Sequence, residues 1–344
     1  MIPFLLINLV KIACVIGVML TIVAYTVLAE RKVCAWMQDR IGPNRVGPMG
    51  LLQPLADGLK FVFKEDVLSH HVNKVYFTLA PMIALVPALI TIAVVPWGSQ
   101  LVIPGLAEPV KGVIADLNVG ILFVFAISSL GVYGIVLAGW ASNSKYPFLG
   151  SIRSSAQMIS YEVCLGLSVV PVFMQVGSLN LSQVVEYQGH HVWLALYQPL
   201  SFFIFVVSAF AETNRLPFDL PEAEQELVGG YHTEYSSMKF AMFFMGEYAA
   251  MFVASALMVT LFFGGWSLPF APFNVPAQTL GVGLAHIVIF LVKVCGFLFF
   301  YIWVRWTIPR FRYDQLMALG WKLFIPLTLL NILISGVVLT LMSK

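Results

Sequence analysis

Long apolar runs separated by polar intervals set the pattern of this chain. A membrane-crossing helix needs about 20 mostly apolar residues to span a hydrocarbon core of about 30 Å. Eight stretches suit that purpose: 5–29, 77–97, 117–139, 158–177, 198–212, 241–263, 283–305 and 322–341. In the fifth, Pro199 and Glu212 crowd the ends. Pro81, Pro87 and Pro171 fall inside runs. They are read as kinks, because neighbouring helices satisfy the carbonyls that a proline frees. The first run lacks a basic leading flank and is followed by "ERK", so it is read as a retained helix and not a cleaved leader.

The interval after the first run holds a different period. In "GLLQPLADGLKFVFKED", Leu51, Leu55, Leu59 and Val62 share one helical face, while Gln53, Asp57, Lys60 and Lys64 share another. This helix, 51–64, is too short and polar to cross and is expected in the interface plane. Before it, "DRIGPNRVGP" has Gly and Pro at turn spacing and reads as a tight, ordered loop. The expected fold is all-α and polytopic: eight transmembrane helices plus an interfacial amphipathic helix in the first inner loop, forming one membrane domain over 1–344. No internal repeat interrupts it.

Composition agrees. The 344 residues are 60% hydrophobic and 10% charged, which excludes an ordinary soluble domain. A net charge of +2 without a basic tract gives no footprint for nucleic acid. Cys14, Cys34, Cys164 and Cys295 form no CxxC pair and have no His at metal spacing, so they read as packing thiols and no metal site is expected.

Charge orients the chain. Fifteen of the nineteen Lys and Arg side chains fall in loop 30–76 and the alternate loops that follow it. The opposite side holds Lys111 and the terminal Lys344, with Lys11 and Lys293 inside runs. Basic loops face the cytoplasm, so these loops are inner and both termini outer.

Acids inside apolar runs are costly and therefore informative. Glu162 lies about one turn into the fourth run and Glu247 about two turns into the sixth; Glu30 and Glu212 end the first and fifth. With this orientation all four fall in the inner half. On the same side, "AETNRLPFDLPEAEQELVGGYHTEYSS" holds Glu212, Asp219, Glu222, Glu224, Glu226 and Glu234 against one base, Arg215. Clustered carboxylates in a low dielectric can take up and release protons in response to a nearby charge, as proton relays do. The plainer reading pairs each acid with a base or lets it snorkel; Glu30, beside Arg31 and Lys32, suits either. Lys293, mid-run, is either a counter-charge or a neutral amine. His190, His191 and His232 sit in loops and read as solvated.

"ERKVCAWMQDRIGPNRVGPMGLLQPLADGLKFVFKED", "AETNRLPFDLPEAEQELVGGYHTEY", "FFMGEYAAMF" and "PRFRYDQLM" together resemble the H-type membrane subunit of bacterial NADH–quinone oxidoreductase, the counterpart of mitochondrial complex I subunit 1. The likeness covers essentially the whole chain. It implies eight transmembrane helices, an anchor for a peripheral redox arm and much of a quinone-access chamber in a proton-translocating enzyme that is not catalytic through this chain alone. NADH would be the electron donor of the complex and quinone its substrate. FMN and iron–sulfur clusters would sit in partner subunits, with no cofactor bound here. The implied partners are the peripheral quinone-reducing and iron–sulfur subunits, small neighbouring membrane subunits, quinone and lipid, but no nucleic acid. The implied location is the bacterial inner membrane, with both termini periplasmic.

The resemblance assigns proton transfer or coupling to Glu162, Glu212, Glu247, Asp219, Glu222, Glu224 and Glu226. It assigns the quinone chamber to Arg31, Trp36, Asp57, Phe244, Tyr248 and Arg305, and Glu30 joins that candidate set. Phe244 and Tyr248, four apart, share a helical face, though aromatics there also serve as packing or interfacial anchors. The acidic strip would relay the charge change of quinone reduction, or dock a basic partner. Two other classes compete. A secondary transporter would need its own substrate site and often paired repeats. A membrane subunit of an energy-converting hydrogenase would serve no quinone.

Overall fold

The structure, a computed structural model, describes residues 2–104, 108–220, 229–268 and 274–342. Its helices are α1 (Ile2–Met37), α2 (Gln53–Phe63), α3 (Lys74–Thr91), α4 (Gly120–Ser128), α5 (Leu130–Ala141), α6 (Lys145–Val176), α7 (Leu181–His190), α8 (Leu194–Tyr197), α9 (Pro199–Glu212), α10 (Ser237–Phe262), α11 (Leu280–Thr307), α12 (Tyr313–Ala318) and α13 (Ile325–Met342). A π-helical segment, Leu319–Phe324, joins α12 to α13 without a break. The extended structure among the described residues is one short ribbon, β1 (Gln100–Leu101) against β2 (Val110–Lys111), antiparallel. The chain is thus an all-α polytopic membrane protein.

Among the described residues, seven helices are long and apolar enough to cross a membrane: α1, α3, the α4–α5 pair, α6, α10, α11 and the α12–α13 rod. The sequence led to an expectation of eight. The fifth run becomes α9, which has 14 residues. At 1.5 Å per residue that is about 21 Å, short of the core thickness. Pro199 starts the helix, and a left-handed residue, Asn214 (φ 51°), turns the chain just past its end. Pro81, Pro87 and Pro171 lie inside α3 and α6, and neither helix ends at them.

The most apolar stretch of α10 is 67% buried within the chain, against 22% for α1 and for the last rod. α10 is therefore the central helix, and α1 and α13 are outer faces open to lipid or partners. α3 and α5 cross closely because Gly134 has no side chain: a Cβ there would stand 2.6 Å from the Ala84 nitrogen and 2.9 Å from the Ala80 oxygen. Small residues serve helix contacts in membranes for this reason. α9 runs beside α10. Near its start, Phe202 packs on Phe262 and Phe263 (ring centroids 5.3 and 5.2 Å).

Helix α2 has no buried residue, and Leu55, Leu59, Val62 and Phe63 are exposed. It is held by polar ties. Arg31 on α1 pairs with Asp57 at 2.7 Å, and Gln53 donates to the other oxygen of Asp57 at 3.0 Å. At its far end the Ser237 hydroxyl reaches the orphan carbonyls of Phe61 (2.9 Å) and Lys64 (2.8 Å), fixing α2 to the start of α10.

Candidate functional site

The site begins with how α9 stops. The Arg215 amide donates back to Phe210 O (3.2 Å) and the Asn214 amide to Ala211 O (3.4 Å), around the left-handed Asn214. This pair of bonds is the Schellman pattern, which satisfies carbonyls left open at a helix end. It reverses the chain directly after Glu212, and Arg215 turns back among the helices.

There Arg215 is buried between two acids from different helices. Its Nε lies 2.7 Å from Glu247 Oε1 on α10, and its Nη1 lies 3.5 Å from Glu30 Oε2 on α1. The three side chains are each at most 10% exposed. Arg305, in the last turn of α11, binds the other oxygen of Glu30. The Tyr248 hydroxyl donates to Glu30 Oε2 at 2.6 Å, and its ring lies under the Arg215 guanidinium at 4.1 Å. Among the described residues of this cluster, two acids and two arginines balance in formal charge. An uncompensated charge here would cost several kcal/mol, and arginine stays protonated where lysine would not.

Behind Glu247 is a cavity of about 110 Å³ between α3, α4–α5, α6, α9 and α10. Glu212 and Glu247 both line it, with Thr91, Ser128, Thr213, Asn214 and Tyr231 among mostly apolar walls. With two carboxyls and several hydroxyls on its mostly apolar walls, the space offers water both room and hydrogen-bond partners. Glu212 has no ion pair among the described residues. Glu162, half-buried on α6, stands near enough to Glu212 for their charges to repel. Three links thus follow one another: Glu30 through Arg215 to Glu247, Glu247 across the cavity to Glu212, and Glu212 toward Glu162.

A family model for NADH dehydrogenase matches residues 10–336. The chain belongs to the NADH dehydrogenase family. It is 53% identical over 350 residues, 98% of each chain, to the second of the H-type subunits of NADH-quinone oxidoreductase in Koribacter versatilis. It is 54% identical over 329 residues to the second H-type subunit in Geobacter sulfurreducens, covering 96% of this chain and 95% of that one. To NADH-quinone oxidoreductase subunit 8 of Rhodothermus marinus it is 50% identical over 338 residues, 96% of each.

In this NADH dehydrogenase family chain the remaining candidates fall apart into separate places. Asp219 is buried and pairs with Arg310 at 3.0 Å. Arg31 and Asp57 pair with each other between α1 and α2, away from Glu30. Trp36 is 64% exposed at the end of α1. Phe244 stacks near Tyr248 (4.8 Å) and continues through Phe240 (6.1 Å) to Phe61 on α2 (6.2 Å). Glu222, Glu224 and Glu226 lie outside the described residues. Lys293 meets backbone: its ammonium donates to Phe263 O, Gly265 O and Ser267 O at 2.8, 2.9 and 2.5 Å. Among the described residues no group of His, Cys, Asp and Glu could hold a metal ion.

Sequence reasoning missed the role of Arg215. The lone base in an acidic stretch was visible, but the turn that buries it was not. The sequence neighbours of Glu30 do not serve it: Arg31 goes to Asp57 and Lys32 to Met49 O at 2.5 Å.

Proposed function

We propose that this chain is the membrane subunit of a proton-translocating NADH:quinone oxidoreductase that borders the quinone-access chamber and couples quinone reduction to proton movement. It is not catalytic alone. What carries the reading is the cavity shared by Glu212 and Glu247, with Glu247 joined through Arg215 to Glu30. Titratable oxygens, a fixed guanidinium and a water-sized space form a path along which a proton or a charge shift can pass. Glu162 extends it at the far end. Asp219, Glu222, Glu224 and Glu226 extend it into the inner loop, where a redox arm would change the local charge.

Phe244 and Tyr248, with Glu30, Arg31, Trp36, Asp57 and Arg305, form the wall of the chamber, and the amphipathic α2 lies in the interface plane as a wedge beside its mouth. α9 makes the eighth passage with α8. Its 14 residues suffice because most of its side chains pack against other helices. Eight passages place both termini on the outer side of a bacterial inner membrane. FMN and the iron–sulfur clusters belong to the partner subunits.

The test is isolation of the tagged chain from its native membrane. NADH:quinone activity, flavin and iron–sulfur clusters are expected to co-purify, and a cysteine at Ser236 is expected to label from the inner side alone. A chain that purifies by itself points to a transporter, and one accompanied by nickel points to a hydrogenase; either result refutes the proposal. Labelling of Ser236 from outside refutes the orientation.

A further inference from the structure

α6 turns a polar stripe toward the inner end of α9. Its members are Ser154, Gln157 and Tyr161, all buried. Tyr161 donates to Leu316 O at 2.9 Å and so serves the last rod. Gln157 serves the relay. Its Nε2 lies 2.8 Å from Ala211 O, 2.8 Å from Phe218 O and 3.3 Å from Asn214 Oδ1. Ala211 and Phe218 bracket Glu212 and Arg215, so one amide nitrogen closes the turn that carries both.

The orientation of this amide is forced. A primary amide nitrogen has two hydrogens, and here it faces three acceptors. The two main-chain oxygens are at full hydrogen-bond distance, and the Asn214 oxygen is further away. The opposite atom, Gln157 Oε1, has no donor among the described residues. Rotating the amide by half a turn would put oxygen against three oxygens and leave the carbonyls open. Burying polar groups without partners is costly, so the rotated form is disfavoured. The contact with Asn214 also steadies its left-handed backbone, on which the return of Arg215 depends. Beyond the clamp, Phe218 stacks on Phe311 at 5.4 Å and the Phe311 amide donates to Pro217 O at 3.1 Å, so the turn is gripped from α6 and from the segment before α12.

We propose that Gln157 is a positioning residue of the carboxylate relay, whose amide nitrogen clamps Ala211, Asn214 and Phe218 and thereby sets where Glu212 and Arg215 stand. This rests on the coupling function proposed above. Gln157 touches no reacting group and acts through the turn.

The test uses the whole complex in its membrane with Gln157→Met, which keeps volume but removes both donors, and Gln157→Asn, which keeps the amide on a shorter stem. Native gels give the amount assembled, and a hydrophilic acceptor reports the electron input. Because small misplacements in a reacting chain are expensive, quinone turnover per assembled complex is expected to fall by about tenfold or more in Gln157→Met. Gln157→Asn is expected to fall between this and the parent. The quinone KM is expected to hold while kcat drops, and the pH–rate profile is expected to move. Turnover, pH profile and proton uptake equal to the parent, in whichever variant assembles, overturn the proposal. So does poor assembly of both with normal specific turnover in the fraction that remains, which makes Gln157 a folding residue. Glu212→Gln, measured alongside, separates the two levels. If it abolishes coupling while Gln157→Met is silent, the clamp alone is wrong; if both are silent, the coupling function is wrong.

Discussion

Two charges set among the helices, Lys293 half-buried and Arg215 buried, are compensated in different ways. Near the far end of α10, Lys293 gives its three protons to three main-chain oxygens and lies over the Trp193 ring at 5.1 Å. Nearer the start of α10, Arg215 is compensated by the side chains Glu30 and Glu247. Main-chain carbonyls at a helix end attract a cation but cannot take up a proton. Carboxylates can, and each can exchange partners by a change of rotamer. The first arrangement pins α11 to the end of α10. In the proposed coupling function the second is a set of groups whose charges redistribute, with the cavity lined by Glu247 and Glu212 beside it. The same cost of placing a charge among helices therefore makes a fixed joint in one place and, under the coupling function proposed above, a relay in the other.

The largest effect is expected from Arg215→Met. Removing the guanidinium strips Glu247 and Glu30 of a shared buried partner, and breaking such a pair costs about 3–5 kcal/mol. The complex is expected to be nearly absent from native gels. Full assembly with normal pumping would erase the distinction between the two regions. Lys293→Met sharpens the comparison from the other side. Three carbonyls lose their donor, and a loss of about 1–3 kcal/mol is expected, seen as a lower midpoint of thermal inactivation. Quinone turnover per assembled complex is expected to stay at the parent level, and a drop in specific turnover would make Lys293 part of the relay. The smallest effect belongs to Phe244→Ala, which separates the chamber wall from the relay. An aromatic contact of about 0.5–1.5 kcal/mol corresponds to a rise of a few-fold in the apparent KM for quinone, with hydrophilic-acceptor reduction retained. Unchanged quinone kinetics in an assembled variant would return Phe244 to packing.

What was legible in the sequence is what local pattern controls. The apolar runs gave the long helices, and the 3.6-residue period of 51–64 gave α2. The prolines of α3 and α6 sit where a packed membrane helix tolerates them. Proximity could be guessed too: counting turns from the run ends grouped Glu30, Glu212 and Glu247, and in the structure Arg215 joins the first to the third and a cavity the second to the third. Pairing could not. Adjacent residues on a helix point about 100° apart, so Arg31 and Lys32 turn away from the side chain of Glu30. Its partners come from 185 and 275 positions along the chain, a distance at which no periodic signal survives. Arg215 was hidden for a further reason. Its burial depends on Asn214 adopting a left-handed turn, and on Gln157 of another helix holding that turn closed.

Proton uptake in the Glu212→Gln variant tests the relay most directly. Glu212 lines the cavity but has no ion pair among the described residues, so neutralising it strands no arginine and should spare assembly. NADH-driven proton uptake is measured in inverted membrane vesicles, normalised to assembled complex and to hydrophilic-acceptor activity. With the carboxylate chain as the coupling path, assembly and electron input stay normal while quinone-linked proton uptake is lost. Uptake at the parent level, in a variant that assembles and turns over quinone normally, would contradict it.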